Sequence, residues 1–144
     1  MASILLLHGP NLNLLGQREP EVYGSATLDD YVTACADRAA ELGFSLEHFQ
    51  SNHEGAIVDA IHGARGRCAA IMINAGAFTH YAWSIHDALA TFAGPIIEVH
   101  ISQPNAREPW RHTSVVAPVA SGSIAGFGLL GYLLALDAAA HLVR

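Results

Sequence analysis

Two pairs of residues carry side chains whose types and spacing could do acid–base chemistry. The first is Arg18 and Tyr23, in HGPNLNLLGQREPEVYG (8–24). The second is Glu98 and His100, in IIEVHI (96–101). A phenol titrates near 10, so Tyr23 is a poor base at neutral pH, and lowering it about three units takes about 4 kcal/mol. One guanidinium at about 4 Å supplies roughly 1 kcal/mol in bulk water but about 4 at an effective dielectric near 20. Arg18 therefore activates Tyr23 only if the segment closes and excludes water, as a mobile lid would. Loops beyond about 12–15 residues are uncommon in compact domains and are usually functional or disordered. Leu12, Leu14, Leu15 and Val22 make this one too apolar for a solvated linker, so it must pack on something. The bland alternative is a tyrosine packed by chance.

Glu98 and His100 stand i, i+2 on a strand and so face the same way. A buried glutamate is rare without a partner, so His100 is read as an acid oriented by Glu98, against the alternative of a structural polar pair. Arg107 and Arg111 flank Pro109, which breaks any helix between them. Arginine grips carboxylates bidentately; the alternative is a solvated loop. Trp110 reads as a packing anchor.

Other chemistries are narrowed by composition. The seven cationic residues are all Arg, so a lysine imine is excluded except at the N-terminus. The net charge of −6 and scattered cations argue against a nucleic-acid surface. His8, His80, His86, His100 and Glu98 are the candidate metal ligands, but no pair shows a tight ligand spacing. His48, His53, His62, His112 and His141 read as surface or helix-face residues. GFGLLG (126–131) matches GxGxxG but is read as close helix packing, since only 13 residues follow it. Cys35 and Cys68 have no CxxC spacing and read as reduced thiols. The apolar stretch 124–136 is too short and Gly-rich to span a bilayer, and no signal peptide is read at the N-terminus; a cytoplasmic location is expected.

The elements that must position these residues alternate. Strands are predicted over 3–8, 44–50, 68–75 and 96–101, with a short fifth within 112–119. Helices are predicted over 27–43, 54–66, 80–92 and 123–143, the first N-capped by Thr27 and closed by Gly43. Continuous apolar strands imply a parallel sheet covered on both faces. The expectation is an α/β, flavodoxin-like three-layer sandwich with strand order 2-1-3-4-5, a single domain over 1–144. Ligands bind beyond the carboxyl ends of such strands. There lie His8, Asn11, Arg18 and Tyr23; Ser51 and Asn52; Asn74, Ala75, Gly76 and His80; then Glu98, His100, Ser102, Arg107 and Arg111.

LHGPNLNLLGQREPEVYG, INAGAFTHYAWSIHDAL, IIEVHIS and REPWRHTS together resemble the type II 3-dehydroquinate dehydratase family, over about residues 4–136 and in order. The resemblance implies a lyase needing no cofactor or metal, which removes water from 3-dehydroquinate by anti elimination through an enolate. It implies Tyr23 as the base at C2, Arg18 as its activator, and Asn11 as the group that stabilises the enolate through a water. It implies His100, oriented by Glu98, as the acid for the C1 hydroxyl. Asn74, His80, Ile101, Ser102 and Arg111 would bind the substrate, and Asp87 would reach a neighbouring subunit's site. Trimers packed into a dodecamer are expected.

Some positions depart from the family pattern. THYAWSIHDA stands where THTSVALRDA is usual, so Tyr81, Trp83 and His86 alter the surroundings of Asp87. SQPNARE replaces SNVHxRE, and RHTS replaces RHHS, which leaves the role of Arg107 open. The residues by themselves leave two other readings: a non-enzymatic binder of a small anion or nucleotide, and a metal-dependent hydrolase. They also do not separate aromatic biosynthesis from quinate catabolism.

Overall fold

The apolar runs form the strands of one sheet, and the computed structural model describes all residues, 1–144. β1 (Ser3–His8) leads through a 3-10 turn, Leu12–Leu14, to a single helical turn α1 (Pro20–Tyr23) and then α2 (Leu28–Glu41). β2 (Ser45–Gln50), α3 (Glu54–Ala64), β3 (Ala70–Asn74) and α4 (Trp83–Ala90) follow. β4 (Ile96–His100), β5 (Gly122–Ala125) and α5 (Gly128–Val143) complete the chain. Every strand pair is parallel and the order is β2-β1-β3-β4-β5, as the sequence predicts for a flavodoxin-like fold.

Alternation along each strand builds two cores. Ile4, Leu6, Met72, Ile97 and Val99 face α2 and α5, meeting Tyr31, Cys35, Tyr132 and Leu136. Leu5, Leu7, Ile71, Ile73 and Ile96 face α3 and α4, meeting Ile57, Ile61, Ile85 and Leu89. Both faces are covered, which is why the strands read as unbroken apolar runs. Cys35 and Cys68 are free thiols that lie in these separate cores, with the sheet between them. Burial pushes the Cys35 thiol up to about 12, so it stays protonated.

Thr27 caps α2 as predicted. Its hydroxyl accepts from the Asp30 N–H, and the Asp30 carboxylate accepts from the Thr27 N–H. The long segment after β1 packs through Leu12 and Leu15, both buried against the α2/α5 core.

The C-terminal third departs from the sequence prediction. The residues 112–119 form no strand; 3-10 turns occupy Pro109–His112 and Ala117–Val119. Pro109 and Pro118 favour such turns, and the buried pair Val115 and Val116 imitates a short strand. The real β5 is a half-exposed edge strand with no apolar run to announce it. GFGLLG is likewise not all helix packing. Gly126 and Gly128 adopt φ of 95° and 56° and make the turn from β5 to α5; only Gly131 packs within the helix, beside Ile124. That turn also holds the end of β4, since the Gly126 and Gly128 N–H groups donate to His100 O and Ile101 O.

Candidate active site

The carboxyl ends of β1, β3 and β4 meet at a small polar cleft. Close approach of β1 and β3 depends on Gly9. Its N–H donates to Asn74 O at 2.8 Å, and a Cβ at this position would lie 2.1 Å from Ala75 O. The chain then turns at Asn11, whose φ is 69° and whose N–H donates to Asn52 Oδ1 at 3.0 Å. Gln50 Nε2 braces that corner by donating to Gly9 O and Asn52 Oδ1.

Asn11, Arg18, Tyr23, Asn74, His80 and His100 line the cleft, with Ile101, Ser102, Arg107 and Arg111. Glu98 stands behind His100. Asp87 is the exception: it is exposed on α4 and does not line this cleft. His8, expected beyond β1, turns into the core instead, where Tyr132 and His48 take its two ring nitrogens. His86 Nδ1 is occupied by Val115 O at 2.7 Å.

Tyr23 is buried, yet its hydroxyl oxygen faces two guanidinium groups. Arg107 Nη1 donates to Tyr23 Oη at 2.7 Å and Arg18 Nη2 at 3.4 Å. Both guanidinium groups also lie over the ring, at 5.2 and 4.6 Å from its centroid. Arg107 further donates to Ser102 Oγ at 3.2 Å, tying the loop after β4 to the segment after β1. The arginine whose role the sequence left open is thus the nearer partner of the tyrosine. Two guanidinium groups donate to the same phenolic oxygen.

Across the cleft, His100 Nε2 meets Glu98 Oε2 at 2.8 Å. Ser114 Oγ donates to the same oxygen at 2.7 Å, and Ser123 Oγ donates to Oε1 at 2.9 Å. Burial alone would raise the Glu98 pKa, but the bonds from His100, Ser114 and Ser123 outweigh it and hold the carboxyl below its usual range. The Glu98 carboxylate fixes the His100 ring through Nε2 and leaves Nδ1 outside that bond. Sequence reasoning missed both serines. Ser123 is the register partner of Glu98 on β5, the misplaced strand, and Ser114, although it closes the REPWRHTS stretch, was given no role there.

His80 donates from Nδ1 to Thr113 O at 2.7 Å. Burial, more than the neighbouring His100 and Arg111, lowers its pKa and keeps it neutral, so Nε2 is an acceptor for a hydroxyl. Arg111 stacks over Trp110 at 4.1 Å and bonds Glu108 Oε2 through Nε at 2.9 Å, which presents a held cation at the cleft rim.

A family model described as "Dehydroquinase class II" matches residues 2–140. The chain belongs to the class II dehydroquinase family. The 3-dehydroquinate dehydratase of Ruegeria pomeroyi is 57% identical over 143 residues, covering 99% of this chain and 96% of that protein. The catabolic 3-dehydroquinase of Emericella nidulans is 56% identical, over 94% of this chain and 88% of that protein. Among solved structures, the type II dehydroquinase of Propionibacterium acnes superposes with a TM-score of 0.94 at 44% identity, covering 98% of this chain and 97% of that one. Class II dehydroquinase membership places the chain among lyases. No helix is long and apolar enough to cross a membrane.

Proposed function

We propose that this class II dehydroquinase removes water from 3-dehydroquinate to give 3-dehydroshikimate. One observation carries the reading: a tyrosine hydroxyl held by two arginines faces a carboxylate-oriented histidine across a single cleft. Tyr23, as phenolate, takes the proton from C2. The C2–H electron pair passes into the carbonyl, and charge builds on the enolate oxygen beside Asn11, through a bound water. The enolate then collapses. The C1–O bond breaks, and the departing hydroxyl takes the proton from His100 Nδ1, with Glu98 stabilising the imidazolium. The proton gained by Tyr23 and the one lost by His100 balance, and a conjugated enone and water leave. Each positioned proton transfer is worth about 10²–10⁴-fold. Arg18 and Arg107 donate to the Tyr23 oxygen and share the negative charge it carries in this step.

Asn74, His80, Ile101, Ser102 and Arg111 hold the substrate hydroxyls and carboxylate. Neutral His80 accepts a hydroxyl, and Arg111 suits the carboxylate. The segment 8–24 acts as a lid that carries its own base. The chain works as one domain over 1–144, in the cytoplasm, as trimers packed into a dodecamer in which Asp87 serves a neighbouring subunit's cleft. No metal or cofactor enters these steps. Relatives named for both general and catabolic roles leave the reaction common to either pathway.

The test is the ultraviolet absorbance of the conjugated enone after mixing the protein with 3-dehydroquinate, with and without EDTA, beside Tyr23→Phe. Absorbance rising regardless of chelator, and flat in the variant, is the expected result. A silent wild type in a folded, assembled sample overturns the assignment. Activity lost only with EDTA reassigns the histidines to a metal.

A further inference from the structure

A chain of buried polar side chains runs from the cleft wall through the α2/α5 core. Asn74 Nδ2 donates to Tyr132 Oη at 2.9 Å; Tyr132 Oη lies 2.9 Å from His8 Nε2; His8 Nδ1 lies 2.9 Å from His48 Nε2. Tyr132 and His8 have no exposed surface, and Asn74 has 4%. Nothing in the proposed reaction uses Tyr132 or His8, yet three buried polar groups in one core are costly unless every one is satisfied.

Satisfaction fixes the direction of each bond. The Gly76 N–H donates to Asn74 Oδ1 at 3.1 Å, which identifies the oxygen of the amide. Nδ2 must therefore face Tyr132 and donate. Tyr132 Oη accepts there, so its own proton goes to His8 Nε2. His8 then carries its proton on Nδ1 and gives it to His48 Nε2. The opposite arrangement would leave the Tyr132 proton buried without an acceptor. Burial, with His48 adding, pushes the His8 pKa down to about 3 and keeps it neutral, as this direction requires. The Tyr132 ring is clamped as well, stacked with His8 at 5.6 Å and edge-on to Tyr31 at 4.9 Å.

We infer that Tyr132, held by His8, is a positioning residue that aims the second Asn74 Nδ2 proton into the cleft. The inference rests on the proposed reading of Asn74 as a substrate contact. Without the Tyr132 hydroxyl, Gly76 still holds Oδ1, but the amide plane can tilt. His8 acts one step further back, as the acceptor that keeps the hydroxyl turned so that its lone pair meets Asn74.

The experiment is a cycle of Tyr132→Phe, Asn74→Ala and the double variant, reading kcat/KM for 3-dehydroquinate and Tm for each. Tyr132→Phe is expected to lower kcat/KM by roughly ten- to a hundredfold, the range for losing an orienting partner or for a small misplacement. In the Asn74→Ala background the same change is expected to leave kcat/KM unaltered, while Tm falls in both backgrounds. A loss that persists without Asn74 overturns the positioning role and leaves Asn74 as a substrate contact. No loss in Asn74→Ala alone overturns both. If Tyr132→Phe does not fold, His8→Gln and His8→Leu read the same chain. Gln keeps an acceptor near the Nε2 position and should retain kcat/KM, whereas Leu should lose it; equal values for the two overturn the inference.

Discussion

Arg107 Nη1 and Tyr23 Oη lie 2.7 Å apart although 84 residues separate them in sequence. Arg18, five residues from Tyr23, reaches the same oxygen only at 3.4 Å. The nearer arginine should dominate. Arg107→Met is expected to lower kcat by about 10²–10³-fold, the cost of removing one preorganised donor, and Arg18→Met by roughly tenfold. Initial rates of enone formation at saturating substrate check this. A larger loss in Arg18→Met would return the leading role to the local pair.

Glu98→Gln preserves shape but removes the carboxylate charge that holds His100 Nε2. A loss of on the order of 10²–10⁴ in kcat is expected, with KM little changed. Ser123→Ala and Ser114→Ala leave a lone pair of a buried carboxylate unpartnered and should each destabilise the fold by about 1–3 kcal/mol. Urea titrations at pH 7 and single-turnover kinetics separate the two effects.

His8 makes stability depend on pH. Its folded pKa of about 3 lies below the unfolded value of 6.5, so the unfolded chain binds more protons between them. Stability is therefore complete above pH 6.5 and falls as the pH drops towards 3, by about 1.4 kcal/mol per unit. Burial lowers the pKa of His48 too, which adds to the same slope. Denaturant midpoints of wild type and His8→Gln across pH 7 to 4 test it. The wild-type curve should fall more steeply than that of His8→Gln as the pH drops, and parallel curves would contradict it.

Gly9→Ala places a methyl 2.1 Å from Ala75 O. Neither atom belongs to a flexible side chain, so the ends of β1 and β3 must part. A destabilisation of about 3 kcal/mol or more is expected, above the usual cost of overpacking, with kcat lost before the fold is. Thermal melts beside the rate assay check both.

The sheet was legible because burial on both faces writes itself into the composition of β1, β3 and β4. β5 was not, because an edge strand with two half-exposed and two exposed residues carries no such mark. That one misplacement hid Ser123. Tyr23, Arg18, His100 and Glu98 could be read as local pairs. Arg107 resisted because its partner lies across the cleft, and its distance from Tyr23 is set by how two loops fold over the sheet. His8 was expected at the cleft because strand position fixes where a residue sits, whereas its side chain obeys the alternation that sends Ile4 and Leu6 to the same core.

Tyr23 and His100 stand on parts of the chain with different backbone ties. His100 and Glu98 belong to β4, bonded to β3 on one side and β5 on the other. Backbone bonds from residues 17 to 24 reach only within the segment, as from Gln17 N–H to Leu14 O and from Gly24 N–H to Pro20 O. Amide hydrogens of β4 should therefore exchange with solvent deuterium only when the sheet opens, and those around Tyr23 through a local opening that leaves the sheet intact. His100 should keep its place whenever the sheet is intact, whereas Tyr23 can part from it through a local opening alone.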